Sequence, residues 1–560
     1  MGWAEKKTTA DDKDCTEIWK LYQKGVDYFN RQNLYSKTEE AYRFFLGDQW
    51  HGLESGGERM PVMNVIQPTV EYKVATVAQN NMSIHYSSMR PGSGEEERKV
   101  CELLDANAAR QWELRKMDRM CWDVVKDACI SGDAYVFFYD GAGNAQLVGN
   151  TDVYLSDEQC PDLQKQKYII LSERRFVSEL REEAKKNGLT EDEIDLIQPD
   201  EPEHRASDEE RREVGEDEKC TSLLYMEKKD GVVHICRATR NVIYQKDTAV
   251  QSEDAEGNIA GQLTQYPIAS LVWKRGRNSA RGMGEVKELI PNQIEINRLL
   301  ARRLINAKIT AFARLVYNGQ MVENIDQLDE VGAAIEVQGG VSNVRDMVTY
   351  LNPAPMSGDA KALTDELITQ TRELAGAGDA ATGQVDPTQA SGAAIVAVQE
   401  QAALPLNEQV AAFRQFVEDV ASVWFAIWAA YNPNGLEVEI ERDGMKQVEV
   451  IPAEALQQMR VFIRIDVSPN NPYSKFAQEQ AIQALFDSGA ITFEEYVEAL
   501  DDNASAPKAK LQEIIEKRQQ AQEDQLQQAI GIIQQQQQTI QTMQQAMGGG
   551  AGNAVPVLPQ

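Results

Sequence analysis

The residue types best suited to chemistry are few and scattered in this chain of 560 residues. Its four histidines are His51, His85, His204 and His234, and none pairs with another at the spacing that gathers imidazoles around a metal. No HExxH occurs. The seven cysteines, Cys15, Cys101, Cys121, Cys129, Cys160, Cys220 and Cys236, are odd in number, widely spaced and without a CxxC pair. They read as reduced thiols, mostly small core residues, and not as a disulfide frame. GxxxxGK[ST], which would cradle a nucleotide phosphate, is absent, as is the GxSxG nucleophile elbow. "GRNSARGMG" (Gly276 to Gly284) has the glycines but not the Lys-Ser/Thr, and reads as a chain break before a long helix. Carboxylates could pair to hold Mg²⁺ or to act as acid and base, but with 88 Asp and Glu such pairs arise by chance. No catalytic residue, metal site or cofactor is expected.

Charge is the strongest compositional signal. Lys and Arg total 57 against 88 acids, a formal charge of −31. A protein that grips nucleic acid by its phosphates is usually basic. This one is expected to repel DNA over most of its surface, which serves solubility and also suits a surface past which DNA must slide. The 42% hydrophobic and 26% charged residues are ordinary for a globular protein, and the length suggests three or four domains. No apolar run reaches the roughly 20 residues of a membrane span. "VASVWFAIWAAY" (Val420 to Tyr431) is shorter and reads as a buried helix. The N-terminal "MGWAEKKTTADDKD" has neither an apolar signal core nor a myristoylation pattern.

Periodicity supplies the elements that would position any site. Helix is expected over residues 12–45, from about Pro68, and in a pair over Glu95 to Ile130, with a strand around Ile84 to Tyr86. Trp50 of "FFLGDQWHG" is expected to anchor a loop. Residues 132–275 read as mainly β, through "AYVFFY", "KYIILSERR", "CTSLLYMEK", "VVHICRATR", "NVIYQK" and "IASLVWKRG", interrupted by a helix at Val177 to Gly188. The acidic stretch at 189–219 reads as a surface insertion or disordered loop. A long helix over 284–309 carries a wide apolar stripe, and Pro291 is expected to kink it or mark its start. A mixed β and turn region, Thr310 to Pro355, precedes a second helix, Asp359 to Leu374. "ATGQVDPTQASGAAI" (Ala381 to Ile395) is a polar, glycine-rich loop. The longest helix is expected over Ala393 to Tyr431, bent at Pro405. Strands follow in "GLEVEIERDG" and "MRVFIRIDVSP", then two short helices over 473–500, one starting at Thr492 with Glu494 and Glu495. In the Gln-rich end, Leu526, Ile530, Ile533, Gln537, Ile540, Gln544 and Met547 make a 4-3 seam that predicts a self-associating helix.

Three stretches, taken in order, carry a resemblance. They are "FFLGDQW" followed by "RMPVMNVIQPTVEYKVATVAQNNMSIHY", then "YPIASLVWKRGRNSARGMGEVKELIPNQIEINRLLARRL" with Gln293 and Asn297 on its helix, then "TGQVDPTQASGAAIVAVQEQA". Together they resemble the portal protein of tailed double-stranded DNA bacteriophages, over most of residues 40–500. The resemblance implies an α+β, mainly α fold: a wing (1–283, and again in 393–472 with the long bent helix), a two-helix stem (284–309 and 357–376), a small α/β clip (310–356), a tunnel loop (377–392), a helical crown (473–547) and a disordered end (548–560).

It also implies roles. Asp379, Thr382, Gln384, Asp386, Thr388, Gln389 and Ser391 would line a DNA channel, touching the duplex without base-specific bonds while the aspartates discourage adhesion. Gly376, Gly378, Gly383 and Gly392 would serve as joints. Glu285, Glu288, Glu295, Asp365, Glu366 and Glu373 are candidates to face the channel from the stem, and Arg302, Arg303 and Lys308 to ring the clip end or pair between subunits. Asn318, Gln320, Glu323, Asp326, Asp329, Glu330, Arg345 and Asp346 of the clip would dock the motor and the adaptor. The implied protein is a non-enzymatic homo-oligomeric ring, usually a dodecamer. It sits at the portal vertex of the virion after assembly in host cytoplasm, with terminase large subunit, tail adaptor, major capsid and scaffold proteins and double-stranded DNA as partners. It has no membrane partner, cofactor or metal. A tail-adaptor or connector ring protein is the alternative, though such chains are usually shorter and lack the helix–clip–helix insert. A metal-dependent nuclease would need clustered ligands.

Overall fold

The computed structural model describes residues 14–52, 60–79, 81–89, 94–201, 218–253, 259–311, 314–317, 348–351, 359–378, 404–442, 445–459, 461–468, most of 482–499 and a few positions beyond. The chain divides into two compact units, 1–468 and 469–560.

The first unit opens with α1 (Cys15–Gln32) and α2 (Leu34–Leu46). The single helix expected over 12–45 is thus two. Asn33 adopts a left-handed conformation, φ 53°, which Asn tolerates better than most residues, and caps one helix while opening the next. Then come α3 (Ile66–Ala78), β1 (Asn81–Ser88), α4 (Glu95–Leu114) and α5 (Met117–Ser131). The β-rich stretch holds β2 (Asp133–Phe138), β3 (Ala145–Val148), β4 (Val153–Leu155) and β5 (Tyr168–Phe176). It continues through α6 (Val177–Lys186), α7 (Glu191–Ile194), β6 (Lys219–Lys229), β7 (Val232–Ala238), β8 (Ile243–Ala249), β9 (Gln251–Glu253), β10 (Ile259–Gln262) and β11 (Ile268–Val272). Two helices, α8 (Val286–Ala311) and α9 (Asp359–Leu374), flank the strands β12 (Arg314–Tyr317) and β13 (Val348–Leu351). The unit ends with α10 (Asn407–Tyr431), the hairpin β14 (Leu436–Arg442) and β15 (Met445–Ile451), α11 (Ala453–Gln458) and β16 (Val461–Ser468). The architecture is mixed helix and sheet, as expected of an α+β chain.

Antiparallel pairing builds the sheets. β4-β5-β6-β7-β8 make a five-stranded sheet, and β11-β2-β3 a three-stranded one. The larger sheet is covered on both faces. Leu223 and Tyr225 of β6, with Tyr154 and Ile170, receive Trp19, Tyr22, Val26 and Phe29 of α1, while Met226 and Ile169 join the main core. Residues 189–201 belong to this ordered part, contrary to a wholly irregular insertion. Ile197 is fully buried, and the Asp200 carboxylate pairs with Arg174 and accepts the Thr221 N–H.

The helix α10 runs through the main core, burying Phe413, Phe416, Trp424 and Trp428. It does not contain Pro405, which lies in a 3₁₀ turn, Leu404–Leu406, ahead of the first α-helical residue. In that turn the missing proline N–H costs no helical hydrogen bond, as it would in the helix interior. Residues 393–403 of the expected helix lie outside the described residues. Finally β1 and β16, far apart in sequence, pair from Asn81↔Ser468 to Ser88↔Val461.

In the second unit, α12 (Phe493–Ala499) starts at the expected Thr492. Its hydroxyl accepts the Glu495 N–H while the Glu495 carboxylate accepts the Thr492 N–H, a reciprocal cap. The Gln-rich seam from Leu526 to Met547 lies almost wholly outside the described residues.

Candidate channel and docking elements

The helix pair α8–α9 is where the expected stem residues fall, and three polar devices fix α8 to the body. The first lies just before the helix. Gly282 and Gly284 let residues 275–284 cross the α5–β2 junction at backbone contact: a Cβ on Gly282 would collide with the Gly132 carbonyl, and one on Gly284 with that of Ile130. Immediately before them Arg281, 7% exposed, is held on every side. Its Nε and Nη2 donate to the two Glu158 oxygens at 2.8 and 2.9 Å, and Nη1 approaches Asp133 Oδ2 at 3.3 Å. Nη1 and Nη2 also donate to the carbonyls of Asn150 and Val153, 2.9 and 2.6 Å. The guanidinium plane lies over Phe29 and Tyr135. One side chain therefore joins α1, β2, β4 and the lead-in to α8.

The second device is Glu285. It receives Lys73 Nζ of α3 at 2.5 Å, Lys274 Nζ at 3.1 Å and Trp273 Nε1 at 3.2 Å. Burial by itself raises this carboxyl, but the two ammonium groups and the indole N–H outweigh it and leave the pKa below the ordinary range. Glu285 thus departs from the expected channel-facing set: it is 4% exposed, inside the fold, because Lys73 is buried beside it and needs an anion.

The third device joins the stretches that carry the resemblance. Gln293 and Asn297 stand four residues apart, on one buried face of α8. Gln293 Oε1 accepts the Val65 N–H at 2.9 Å and its amide donates to the Met63 carbonyl at 2.7 Å. Asn297 Oδ1 accepts the Met63 N–H at 3.1 Å, and its amide donates to Gln49 Oε1 at 2.6 Å. Gln49 donates to the Phe44 carbonyl, and Asn64 to that of Phe45. So the "FFLGDQW" and "PVMN" stretches are the docking groove for α8, and Gln293 and Asn297 read its backbone.

Beyond this anchor α8 runs beside α9. Thr364 and Thr371, seven residues apart, are each 1% exposed, and Asn292 donates to the Thr371 hydroxyl at 3.2 Å. At the far end β12 and β13 pair antiparallel, Arg314↔Leu351 to Tyr317↔Val348, so the two helices continue into two strands. Pro291 stands inside α8, early in the helix. α9 ends at Gly376, whose φ of 69° closes the helix with Gly376 N–H to Glu373 and Ala377 N–H to Arg372.

Of the remaining candidates on this pair, Glu288, Glu295, Asp365, Glu366 and Glu373 are exposed. Glu288 pairs with Lys274 and Glu295 with Arg298, while Glu366 accepts from Gln370. Arg302 and Lys308 are exposed and Arg303 half-buried. The expected channel residues Asp379, Thr382, Gln384, Asp386, Thr388, Gln389 and Ser391 lie outside the described residues, as do Asn318, Gln320, Glu323, Asp326, Asp329, Glu330, Arg345 and Asp346. Sequence reasoning missed Arg281 and Lys73. A signal existed for Lys73: it sits in the apolar stripe of Val70, Val74 and Val77, where a lone ammonium demands a buried partner.

Among the described residues no group of three or more His, Cys, Asp and Glu could hold a metal ion, and no helix is long and apolar enough to cross a membrane. The profile of the family described as Phage P22-like portal protein matches residues 172–554. The chain belongs to that family. Portal-family proteins are structural rather than enzymatic, and a virion location accords with them. No curated protein matches the sequence. Among solved structures, a chain of the "Virion of native gene transfer agent (GTA) particle" is similar at 10% identity, over 83% of this chain and 93% of that one, with a TM-score of 0.36.

Proposed function

We propose that this portal-family chain assembles into a ring, of twelve copies in the usual arrangement, at one capsid vertex, and that the ring is the conduit for DNA during packaging and ejection. The family match over 172–554 carries the reading. The helix pair supports it: two antiparallel helices, rooted in the body by Arg281, Glu285, Gln293 and Asn297 and continued by paired strands, suit a stem that leads to a clip. In this reading residues 377–392 form the tunnel loop, with Asp379 and Asp386 keeping the duplex from adhering. Residues 310–356 dock first the terminase motor, whose ATPase is a separate chain, and then the tail adaptor. The net charge of −31 suits a channel that must not hold its cargo. The portal itself performs no chemistry.

The test is negative-stain electron microscopy of purified full-length protein, with class averages examined for rotational symmetry. Rings with a central hole are expected. Strictly monomeric, hole-free particles across salt and concentration would overturn the proposal.

A further inference from the structure

Two continuous stripes on the α8–α9 pair are exposed. On α8, Pro291, Glu295, Arg298, Arg302 and Ile305 recur at 4-3-4-3 spacing and every one is exposed. On α9, Asp359, Leu363, Glu366, Gln370 and Glu373 recur at the same spacing, again all exposed. This is the period of a seam that another helix covers. Neither stripe is the seam within the pair, which uses Asn292, Thr364 and Thr371.

The two stripes differ in sign. On α8, Glu295 is occupied by Arg298 at 2.7 Å, and Arg302 makes no ion pair among the described residues, so the stripe is basic. On α9 the charged members are Asp359, Glu366 and Glu373, all acidic. Each stripe also exposes a large aliphatic side chain, Ile305 and Leu363, both 48%.

We infer that the basic α8 stripe of one copy packs on the acidic α9 stripe of the next. The partner must offer an acidic, leucine-bearing helix to α8 and a basic, isoleucine-bearing helix to α9. A second copy of this chain offers both, whereas DNA complements only the α8 stripe. Two different surfaces meet, so the contact is heterologous and repeats around an axis. The inference rests on the ring reading and sharpens it. Glu366 and Glu373 are covered between neighbours instead of lining the channel, and the charge pairing selects the direction in which copies add.

Charge exchange tests this. E366K/E373K makes both stripes basic, and R298E/R302E makes both acidic. All four side chains are exposed, so the fold is retained, which circular dichroism and melting curves check. By native mass spectrometry of the full-length chain at low salt, wild type is expected as rings. Each variant alone is expected to lose rings by about tenfold or more, because like charges now face each other. An equimolar mixture should recover rings in which the variants alternate. Wild-type rings with variants that assemble equally well would overturn this contact alone, as would folded variants whose mixture fails to recover. A wild type that stays monomeric would overturn the ring reading and this contact with it.

Discussion

Replacing Arg281 by Met removes a guanidinium that compensates two buried carboxylates and two carbonyls. Asp133 is fully buried and Glu158 nearly so, and both keep their charge needs when the partner is gone. Breaking a buried pair from one side costs about 3–5 kcal/mol, much more than the pair contributes over a well-packed apolar replacement. The contacts of the guanidinium with the Phe29 and Tyr135 rings are lost with it and add to the cost. If the first unit unfolds as a whole, its unfolding entropy is on the order of 1 kcal/mol/K, and the melting temperature should fall by about 3–5 °C. Differential scanning calorimetry at neutral pH measures this. Arg281→Lys should fall between, since an ammonium keeps the charge but not the fork that grips Glu158 at two points. The triple variant D133L/E158L/R281M should melt above R281M itself, because the stranded charges leave with the cation. An R281M protein that melts within 1 °C of wild type, or a triple variant that melts lower still, would refute the reasoning.

Other outcomes follow from the same contacts. Q293A/N297A strands the Met63 and Val65 N–H groups and should cost roughly 1–3 kcal/mol per orphaned group, seen as faster hydrogen exchange at those two amides. Gly284→Ala drives a Cβ into the Ile130 carbonyl and should cost at least about 1–3 kcal/mol, read as a lower melting temperature. Asp127, which accepts from the Tyr42 hydroxyl, is pushed up to about 7 by burial and then by the carboxylates of Asp133 and Asp152. A raised carboxyl means that the folded state binds more protons than the unfolded one between the ordinary carboxylate pKa and about 7, so its contribution to stability declines as pH rises through that window. D127N should therefore melt above wild type at pH ~8, with the advantage shrinking toward pH ~4. An advantage that grows on acidification would contradict the assignment.

Much of the fold was legible because the apolar periods are strong. The α8 stripe, the β5, β6 and β7 runs and the apolar α10 segment each fall where the sequence places them. The break at Asn33 was not, since neither Gly nor Pro announces it and one left-handed residue suffices. β15 escaped because Val448 and Val450 face outward, so its apolar alternation points away from the core. Gln293 and Asn297 were named through the resemblance alone, and what they bind is a loop more than 200 residues earlier, which only the folded chain brings to them. Arg281 was hidden for the opposite reason: in a loop full of glycine and charge, an arginine looks solvated. Glu285 was read as exposed because its cation, Lys73, lies on a different helix.

The β1–β16 pair has a consequence for the order of events during synthesis. Ser88 cannot find Val461 until more than 370 further residues have left the ribosome, which at typical elongation rates takes roughly 20–70 s. Meanwhile β1 is an open edge, able to recruit a strand from another nascent chain. The helix pair is complete long before, with its two unlike stripes already presented. A newborn chain can therefore touch a neighbour before its own body is shut, and the interval before Ser468 emerges is when misassembly is most costly.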